Sequence, residues 1–267
     1  MSLEEDYLFV YDALKDALRF SAPTNNEVIP LIDLTLLDEA ASDNALLLLN
    51  QKAHRHQVAA ICVYPQHLKK ISSSIVAQPF SLPQDAEGKK VKLATVVNFP
   101  EGDQSTQHVL TAVDNILSTN LADEIDYVFP HQFYLEGEQK EALKQCQQTH
   151  QLCKQAGITF KVILETGALP SLAFIYQLSM AVIGEGCDFL KTSTGKIAQG
   201  ATFSAAFAIL KAIKDSKATC GLKVSGGIKK PEQALTYMAL AKQMFDREPD
   251  KSWFRIGASS LLDELIN

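Results

Sequence analysis

Long apolar runs are missing from this sequence of 267 residues. Uninterrupted apolar stretches, such as Ala45–Leu49 and Met180–Ile183, are far shorter than the roughly 20 residues that a membrane-spanning helix needs. The first twenty residues mix acidic with apolar positions at helical spacing, whereas a secretory signal has a basic start and an unbroken apolar centre. We therefore expect an amphipathic helix at the N-terminus and no membrane partner.

The sequence also has no excess of basic residues, because its formal net charge at pH 7 is −6. A field of that sign does not attract nucleic acid or an anionic membrane, so we expect no nucleic-acid partner. The five cysteines are odd in number and irregularly spaced, which without a signal peptide indicates reduced thiols. These features predict a cytoplasmic protein.

Clustered metal ligands are missing as well. The six histidines form no HExxH motif or comparable cluster. His54 and His56 lie two residues apart on a predicted helix and therefore point to different faces. We expect no metal site.

Short runs rich in β-branched residues alternate with helical patterns along nearly the whole chain. The predicted strands are Val28–Leu34, Val58–Tyr64, Val91–Phe99, Glu124–Phe129, Thr159–Glu165, Asp188–Ser193, Gly221–Ser225 and Phe254–Ala258. The predicted helices between and after them are Leu37–His56, Pro65–Gln78, Gln104–Asn120, Gly137–Gly157, Pro170–Gly186, Phe203–Ser216, Pro231–Phe245 and Ser260–Ile266.

Eight strand–helix units in a chain of this length predict a closed (β/α)8 TIM barrel with an extra N-terminal helix. We expect a single domain over residues 1–267, with residues 1–25 forming the N-terminal helix and lead-in. A doubly wound open sheet is the main alternative. The stretch Gln78–Lys90 is predicted to be a loop.

Several predicted strands contain a charged residue between apolar ones. Since residues two apart share a face of a strand, the apolar neighbours suit the helix side and the charged residue points into the barrel. This alternation places Lys161, Lys191 and Lys223 inward on strands five, six and seven, and Asp126 inward on strand four. Lysines on adjacent strands, about 4.8 Å apart, can bring their ammonium groups close together.

A second cation and partial desolvation both disfavour a protonated amine, so the pKa of one of these lysines is expected to fall. Lowering it by about three units corresponds to roughly 4 kcal/mol. Only a neutral amine attacks a carbonyl, so the pattern predicts Schiff-base chemistry, with Asp126 relaying protons through water. The alternative is a structural ion-pair network, which Lys161 and Glu165 fit best.

Three loops that follow adjacent predicted strands suit an anion, namely Thr192–Lys196, Ser225–Lys230 and Gly257–Ser260. Glycines let the backbone approach a phosphate, and free N–H groups with a helix N-terminus attract it. These loops predict a phosphorylated small substrate. The candidate phosphate-binding residues are Thr194, Gly195, Lys196, Gly226, Gly227, Lys229, Gly257, Ser259 and Ser260.

Motifs from about Ile32 to Leu262 together resemble the 2-deoxyribose-5-phosphate aldolase family of class I aldolases. The most specific are LKTSTGK at Leu190–Lys196 and GLKVSGGIK at Gly221–Lys229. The others are IDLTLL at Ile32–Leu37, CVYP at Cys62–Pro65, DEIDYVFP at Asp123–Pro130, KVILETG at Lys161–Gly167 and FRIGASSLL at Phe254–Leu262.

The resemblance implies that Lys191 is the Schiff-base nucleophile, Lys223 the lysine that depresses its pKa, and Asp126 the proton-relay acid. It implies reversible cleavage of 2-deoxy-D-ribose 5-phosphate to D-glyceraldehyde 3-phosphate and acetaldehyde, without metal or cofactor. Asp33 and Thr35, at the end of strand one, are expected to orient water or a substrate hydroxyl. Lys161 is a supporting residue, and the role of Cys62 stays open between lining the site and packing in the core.

The sequence departs from the family pattern in three places. Val224 and Ser225 replace a common Pro-Ala pair, and Lys229 replaces an arginine, which keeps the charge but loses the bidentate fork. Some members have a C-terminal tail ending in tyrosine, whereas this sequence ends at Asn267, so a tail's contribution to proton transfer stays open. We expect a homo-oligomer, with a dimer as its form.

Two alternatives to this function remain. One is another Schiff-base aldolase acting on a different phosphosugar. The other is a non-catalytic barrel that binds a phosphosugar, although binding alone requires none of Lys191, Lys223 and Asp126.

Overall fold

The computed structural model describes residues 2–20, 24–76 and 90–266. Eight parallel strands close into a barrel in chain order, with the last strand beside the first. This confirms the predicted (β/α)8 TIM barrel over the doubly wound alternative. The strands are β1 Ile32–Leu36, β2 Ala60–Val63, β3 Lys92–Val97, β4 Glu124–Val128, β5 Thr159–Ile163, β6 Phe189–Lys191, β7 Gly221–Ser225 and β8 Phe254–Ala258.

Helices surround the barrel, and side-chain hydroxyls cap several of their N-termini, such as Ser42 accepting from the Ala45 amide. The predicted N-terminal helix precedes the first strand and lies against α9 and α10. The described helices are α1 Leu3–Phe20, α2 Asn25–Val28, α3 Asp43–His56, α4 Leu68–Val76, α5 Thr106–Thr119, α6 His131–Leu135, α7 Gln139–Gln155, α8 Leu172–Glu185, α9 Phe203–Ser216, α10 Pro231–Phe245 and α11 Leu261–Ile266.

The barrel interior has two unlike halves. Inward positions of β2 and β3 are small or apolar, with Ala60, Cys62, Ala94 and Val96 packed together and buried. The buried charged residues of the interior lie on β1 and on β4 to β8, as alternation predicted for the lysines and Asp126. The main apolar core lies outside the barrel wall, between strands and helices. The charged residues inside the barrel are paired mainly with one another.

The first strand begins four residues later, and ends two residues later, than predicted. Val28 ends α2, and Ile29–Leu31 form a 3-10 turn with Pro30 in its first turn. Proline cannot donate to a strand ladder, and a short apolar run does not by itself distinguish a buried turn from a strand. The strand therefore begins only at Ile32. It ends at Leu36, two residues beyond the predicted end.

Other predicted boundaries differ by a few residues, and α6 was not predicted. The predicted helix Leu37–His56 begins only at Asp43, since Ser42 is its cap. The predicted loop at Gln78–Lys90 lies outside the described residues except for Lys90. Among the helices that the structure describes, none has the length and apolarity needed to cross a bilayer.

Candidate active site

Lys191 and Lys223 meet over one carboxylate inside the barrel. The strand register sets Lys191 of β6 directly beside Lys223 of β7. Their Nζ atoms lie 2.8 and 2.7 Å from Oδ2 of Asp126, which projects from β4. The Lys191 side chain is 3% exposed and the other two are fully buried. The structure thus brings together the three residues that the family resemblance predicted to be catalytic.

A closed ring of six alternating charges, here called the ionic ring, lies around and below this carboxylate. Each cation in it bridges two carboxylates, and each carboxylate bridges two cations. In order around the ring, its members are Asp126, Lys161, Glu124, Arg255, Asp33 and Lys223, which leads back to Asp126. Lys191 is attached to the ring only through Asp126 among the ion pairs of the described residues.

Arg255 spans the lower side of the ring. Its Nη1 lies 2.7 Å from Oδ1 of Asp33 and its Nη2 lies 3.1 Å from Oε1 of Glu124. The sequence analysis did not assign Arg255 a role. Because it stands between Phe254 and Ile256, the same alternation that indicated the lysines could have indicated it.

Asp33 lies deeper than its expected role requires. Its carboxylate pairs with Lys223 at 2.6 Å and with Arg255, and it is fully buried. Thr35, two residues later on β1, lies at the mouth and donates its hydroxyl to the Asp33 carbonyl oxygen at 2.8 Å. Of this pair, Thr35 is the one that lines the open end of the barrel.

Electrostatics separates the two lysines. Burial lowers the pKa of Lys191; Lys223 adds to that lowering, and Asp126 opposes it without reversing it. Burial also disfavours the charged form of Lys223, but Asp126 and Asp33 outweigh it and hold its pKa well above the usual value. The three lysines around Asp126 overcome its burial and keep its pKa well below the usual range. Lys191 is therefore the base most ready to be neutral beside a persistent cation and a persistent carboxylate.

A cleft of about 360 Å³ opens above Lys191 at the carboxyl ends of β1, β6, β7 and β8. Nearly all of the candidate phosphate-binding residues line it; Ser260 is not among its described lining residues. The predicted residues in its wall are Thr35, Lys191, Thr194, Gly195, Lys196, Gly226, Gly227, Lys229, Gly257 and Ser259.

The loops after β6 and β7 pack against each other through glycine. Gly195, Gly226 and Gly227 all have positive φ, at 78°, 87° and 82°, which side chains rarely tolerate. A Cβ atom on Gly226 would lie 3.0 Å from the Cα of Gly200, tighter than ordinary contacts. The glycines thus let the two backbones form one narrow wall of the cleft.

The opposite wall contains residues that the sequence analysis missed. Leu36, Leu37 and Asp38 line the cleft, and Nζ of Lys196 crosses it to donate to the Leu37 carbonyl oxygen at 2.8 Å. These residues were missed because Leu36 and Leu37 are apolar and the helix after strand one was predicted to begin at Leu37. In the structure that helix begins only at Asp43, and residues 37–42 form a loop after β1.

Two further residues near the site, Cys62 and Glu165, lie in surroundings that suit a structural role. Cys62 is fully buried in the apolar half of the interior, where burial raises its pKa to about 11. Glu165 was one of the two residues that best fit the alternative of a structural ion-pair network, but it has a left-handed backbone (φ 52°) and accepts hydrogen bonds from the amide and hydroxyl of Thr194. Glu165 thereby holds the loop after β6 against the end of β5.

Known proteins match this chain along most of its length. A family model described as DeoC/LacD family aldolase matches residues 28–265. A deoxyribose-phosphate aldolase from Agrobacterium fabrum is 36% identical over 242 residues, covering 90% of this chain and 89% of its own.

Two solved structures are similar in fold. A tetrameric deoxyribose phosphate aldolase from Aeropyrum pernix is 24% identical, covers 96% of both chains and has a TM-score of 0.75. A structure from Coccidioides immitis is 22% identical, covers 100% of this chain and 97% of its own, and has a TM-score of 0.77. At these identities the two structures support the fold alone.

Proposed function

The chain belongs to the DeoC/LacD family of aldolases, and we propose that it reversibly cleaves 2-deoxy-D-ribose 5-phosphate into D-glyceraldehyde 3-phosphate and acetaldehyde. The single observation that supports this most is the pair of lysines on Oδ2 of Asp126 at the floor of the cleft. A binding protein needs no such pair, whereas a Schiff-base enzyme needs one neutral amine next to a lasting positive charge.

Lys191 begins the reaction as a neutral amine. Its nitrogen attacks the C1 aldehyde to form a carbinolamine, which takes up a proton, loses the C1 oxygen as water and becomes a protonated imine; the final hydrolysis of the imine releases that proton. The charge on that imine then withdraws electrons from C2 and C3. Lys223 stays protonated throughout. Its positive charge favours the neutral form of Lys191 before the attack, and it favours the release of protons from other groups near the site.

The bond that breaks is C2–C3, since the two-carbon product keeps C1 and C2. Its electron pair moves into the imine to give an enamine, while the C3 hydroxyl loses a proton and becomes the aldehyde of glyceraldehyde 3-phosphate. The Asp126 carboxylate receives that proton through water and returns it to C2 of the enamine. Water then hydrolyses the new imine, which releases acetaldehyde and restores Lys191.

The substrate's phosphate is proposed to lie between the loops that follow β6, β7 and β8. Lys196 and Lys229 supply positive charge there, and Gly226, Gly227 and Ser259 supply backbone and hydroxyl groups that line the cleft. The phosphate end is thereby kept at the mouth while the aldehyde end reaches Lys191.

The test traps the imine. The protein is incubated with limiting acetaldehyde and cyanoborohydride, and the modified peptide is located by mass. We expect a two-carbon addition on Lys191 that disappears in Lys191→Leu and persists in Lys70→Leu, an exposed control whose partner is Asp43. No adduct on Lys191, or equal labelling of Lys223, would overturn the assignment.

A substrate panel separates the alternatives. Acetaldehyde release from 2-deoxy-D-ribose 5-phosphate, coupled to NADH oxidation by alcohol dehydrogenase, is the expected activity. Cleavage of a ketose phosphate alone would favour a different phosphosugar aldolase. Binding of the sugar phosphate without any cleavage would favour the non-catalytic barrel.

We further propose that residues 1–267 act as one barrel domain in the cytoplasm and assemble as a homodimer. The similar protein from Aeropyrum pernix is tetrameric, so assembly occurs on this fold. Light scattering on the full chain is expected to give about twice the 29.3 kDa of one chain. A mass of one chain would contradict the homo-oligomer, and a mass of four would contradict the dimer.

A further inference from the structure

The buried cations around Asp126, with Lys191 included, outnumber the buried carboxylates. The ionic ring contains three cations and three carboxylates, so it is balanced by itself. Lys191 is a seventh member that pairs with Asp126, a carboxylate already shared by Lys161 and Lys223. When Lys191 is protonated, four cations face three carboxylates, and none of these side chains is more than 7% exposed.

We propose that Arg255 and Glu124 are positioning residues for the lysine chemistry: by closing the ring far from the substrate, they keep it balanced and leave Lys191 as the surplus base that gives up its proton. The proposal rests on the proposed function, because it takes Lys191 to be the nucleophile. Neither Arg255 nor Glu124 is among the described residues that line the cleft, so both act through other groups.

The geometry gives Arg255 two carboxylates to neutralise. Its two terminal nitrogens hold Asp33 and Glu124 at 2.7 and 3.1 Å, and its Nε donates to the Lys251 carbonyl oxygen. Asp33 continues to Lys223, and Glu124 continues to Lys161 at 2.5 Å. Both branches end on Asp126, so a change at Arg255 reaches the partner of Lys191 from two sides.

The sign of each effect follows from the count of charges. Removing the Arg255 cation leaves the ring with one excess negative charge, so a proton on Lys191 becomes favourable and its pKa should rise. Removing the Glu124 anion leaves one excess positive charge, so the pKa of Lys191 should fall further. Removing both restores balance and should return the pKa close to its starting value.

Other groups that face Lys191 stay the same in all of these variants. On the elements packed around it they are Asp126 of β4, Lys223 of β7, Cys62 of β2, Glu165 after β5 and, one ion pair farther away, Lys161 and Asp33. Cys62 is uncharged near neutral pH, since burial raises its pKa to about 11. Glu165 is bound to Thr194 rather than to the ring.

The experiment measures the pH at which acetaldehyde trapping on Lys191 reaches half its maximal rate, using the full chain. Relative to wild type, we expect a shift of about one pH unit upward for Arg255→Met and about one unit downward for Glu124→Gln, the size that a nearby buried charge produces. The double variant should lie within about a third of a unit of wild type. Arg247→Met removes an exposed arginine and should cause no shift.

A structural role alone would lower yield or rate without moving the midpoint in opposite directions. Equal midpoints, or shifts of the same sign in Arg255→Met and Glu124→Gln, would overturn the proposal. If Arg255→Met does not fold, Glu124→Gln, with an amide of nearly the same shape, still tests the sign, and Arg255→Lys should keep the wild-type midpoint. Failure of the proposed function looks different, since wild type would then form no Lys191 adduct at any pH.

Discussion

The floor and the mouth of the site are built in opposite ways. At the floor, no side chain of the ionic ring is more than 7% exposed, and each is fixed by ion pairs to at least two others. At the mouth, Lys196 and Lys229 are exposed, and much of the wall is glycine backbone. The proposed function gives these two regions different tasks: the floor would set the charge state of the reacting amine, and the mouth would hold the substrate's phosphate.

The two regions should also respond differently to change. Charges at the floor interact through a medium of low dielectric constant, so each one affects the protonation of its neighbours strongly. Charges at the mouth are screened by water and salt, so each contributes little and independently. Substitutions at the floor should therefore alter kcat and its pH dependence, and those at the mouth should alter KM.

The largest effect is expected from Asp126→Asn. The amide keeps the shape but cannot accept the C3 hydroxyl proton, so kcat should fall by about 10²–10⁴-fold, the usual contribution of a positioned acid or base. Three buried lysines also lose a shared carboxylate, which should lower the free energy of unfolding by about 3–5 kcal/mol. The measurements are the steady-state rate and urea unfolding.

The same variant distinguishes proton transfer from amine activation. Without Asp126 the surplus of positive charge grows, so Lys191 should remain a neutral amine and cyanoborohydride trapping of acetaldehyde should persist at neutral pH. Loss of trapping together with loss of turnover, in a variant that remains folded, would mean that Asp126 instead positions Lys191 for attack.

A smaller effect with a distinct pH signature is expected from Lys223→Leu. Removing this cation takes away a charge that lowers the pKa of Lys191 while leaving Asp126 to raise it, so the pKa of Lys191 should rise. Activity at neutral pH should drop by about 10–100-fold and recover as the pH increases, since one pH unit corresponds to a tenfold change in neutral amine. The check is the pH profile of kcat/KM; a profile of wild-type shape would contradict charge coupling between the lysines.

Several of the charged residues at the floor could be predicted from the sequence, although they are buried. A lysine between apolar residues on a strand has only one face available, so alternation indicated Lys161, Lys191, Lys223 and Asp126 without any knowledge of their contacts. The choice of Lys191 among the lysines came from a motif, because alternation treats all three alike. The lowered pKa of Lys191 agrees with the effect expected of burial and a neighbouring cation.

The closure of the ring could not be predicted in the same way. Asp33, Glu124 and Arg255 lie on β1, β4 and β8, far apart in the sequence. They meet inside the barrel because β8 pairs with β1 and the sheet closes. That register depends on barrel closure rather than on local pattern. At the mouth, Leu36 and Leu37 were missed for a local reason, since they are apolar and the helix after strand one was predicted to begin at Leu37 rather than at Asp43.

The smallest effect is expected at the mouth, from Lys196→Gln. In the structure Nζ of Lys196 donates to the Leu37 carbonyl oxygen at 2.8 Å, and a phosphate must compete with that bond. One exposed charge contributes up to about 1 kcal/mol, so KM for the phosphorylated substrate should rise by about three- to fivefold at low salt with little change in kcat. The difference should shrink as salt is added, because the interaction is screened. Non-phosphorylated 2-deoxyribose should be cleaved equally by both proteins, which makes it the matched control. If kcat falls instead and the loss appears with either sugar, Lys196 belongs to the chemistry of the floor, and the division between the two regions fails at the loop that joins them.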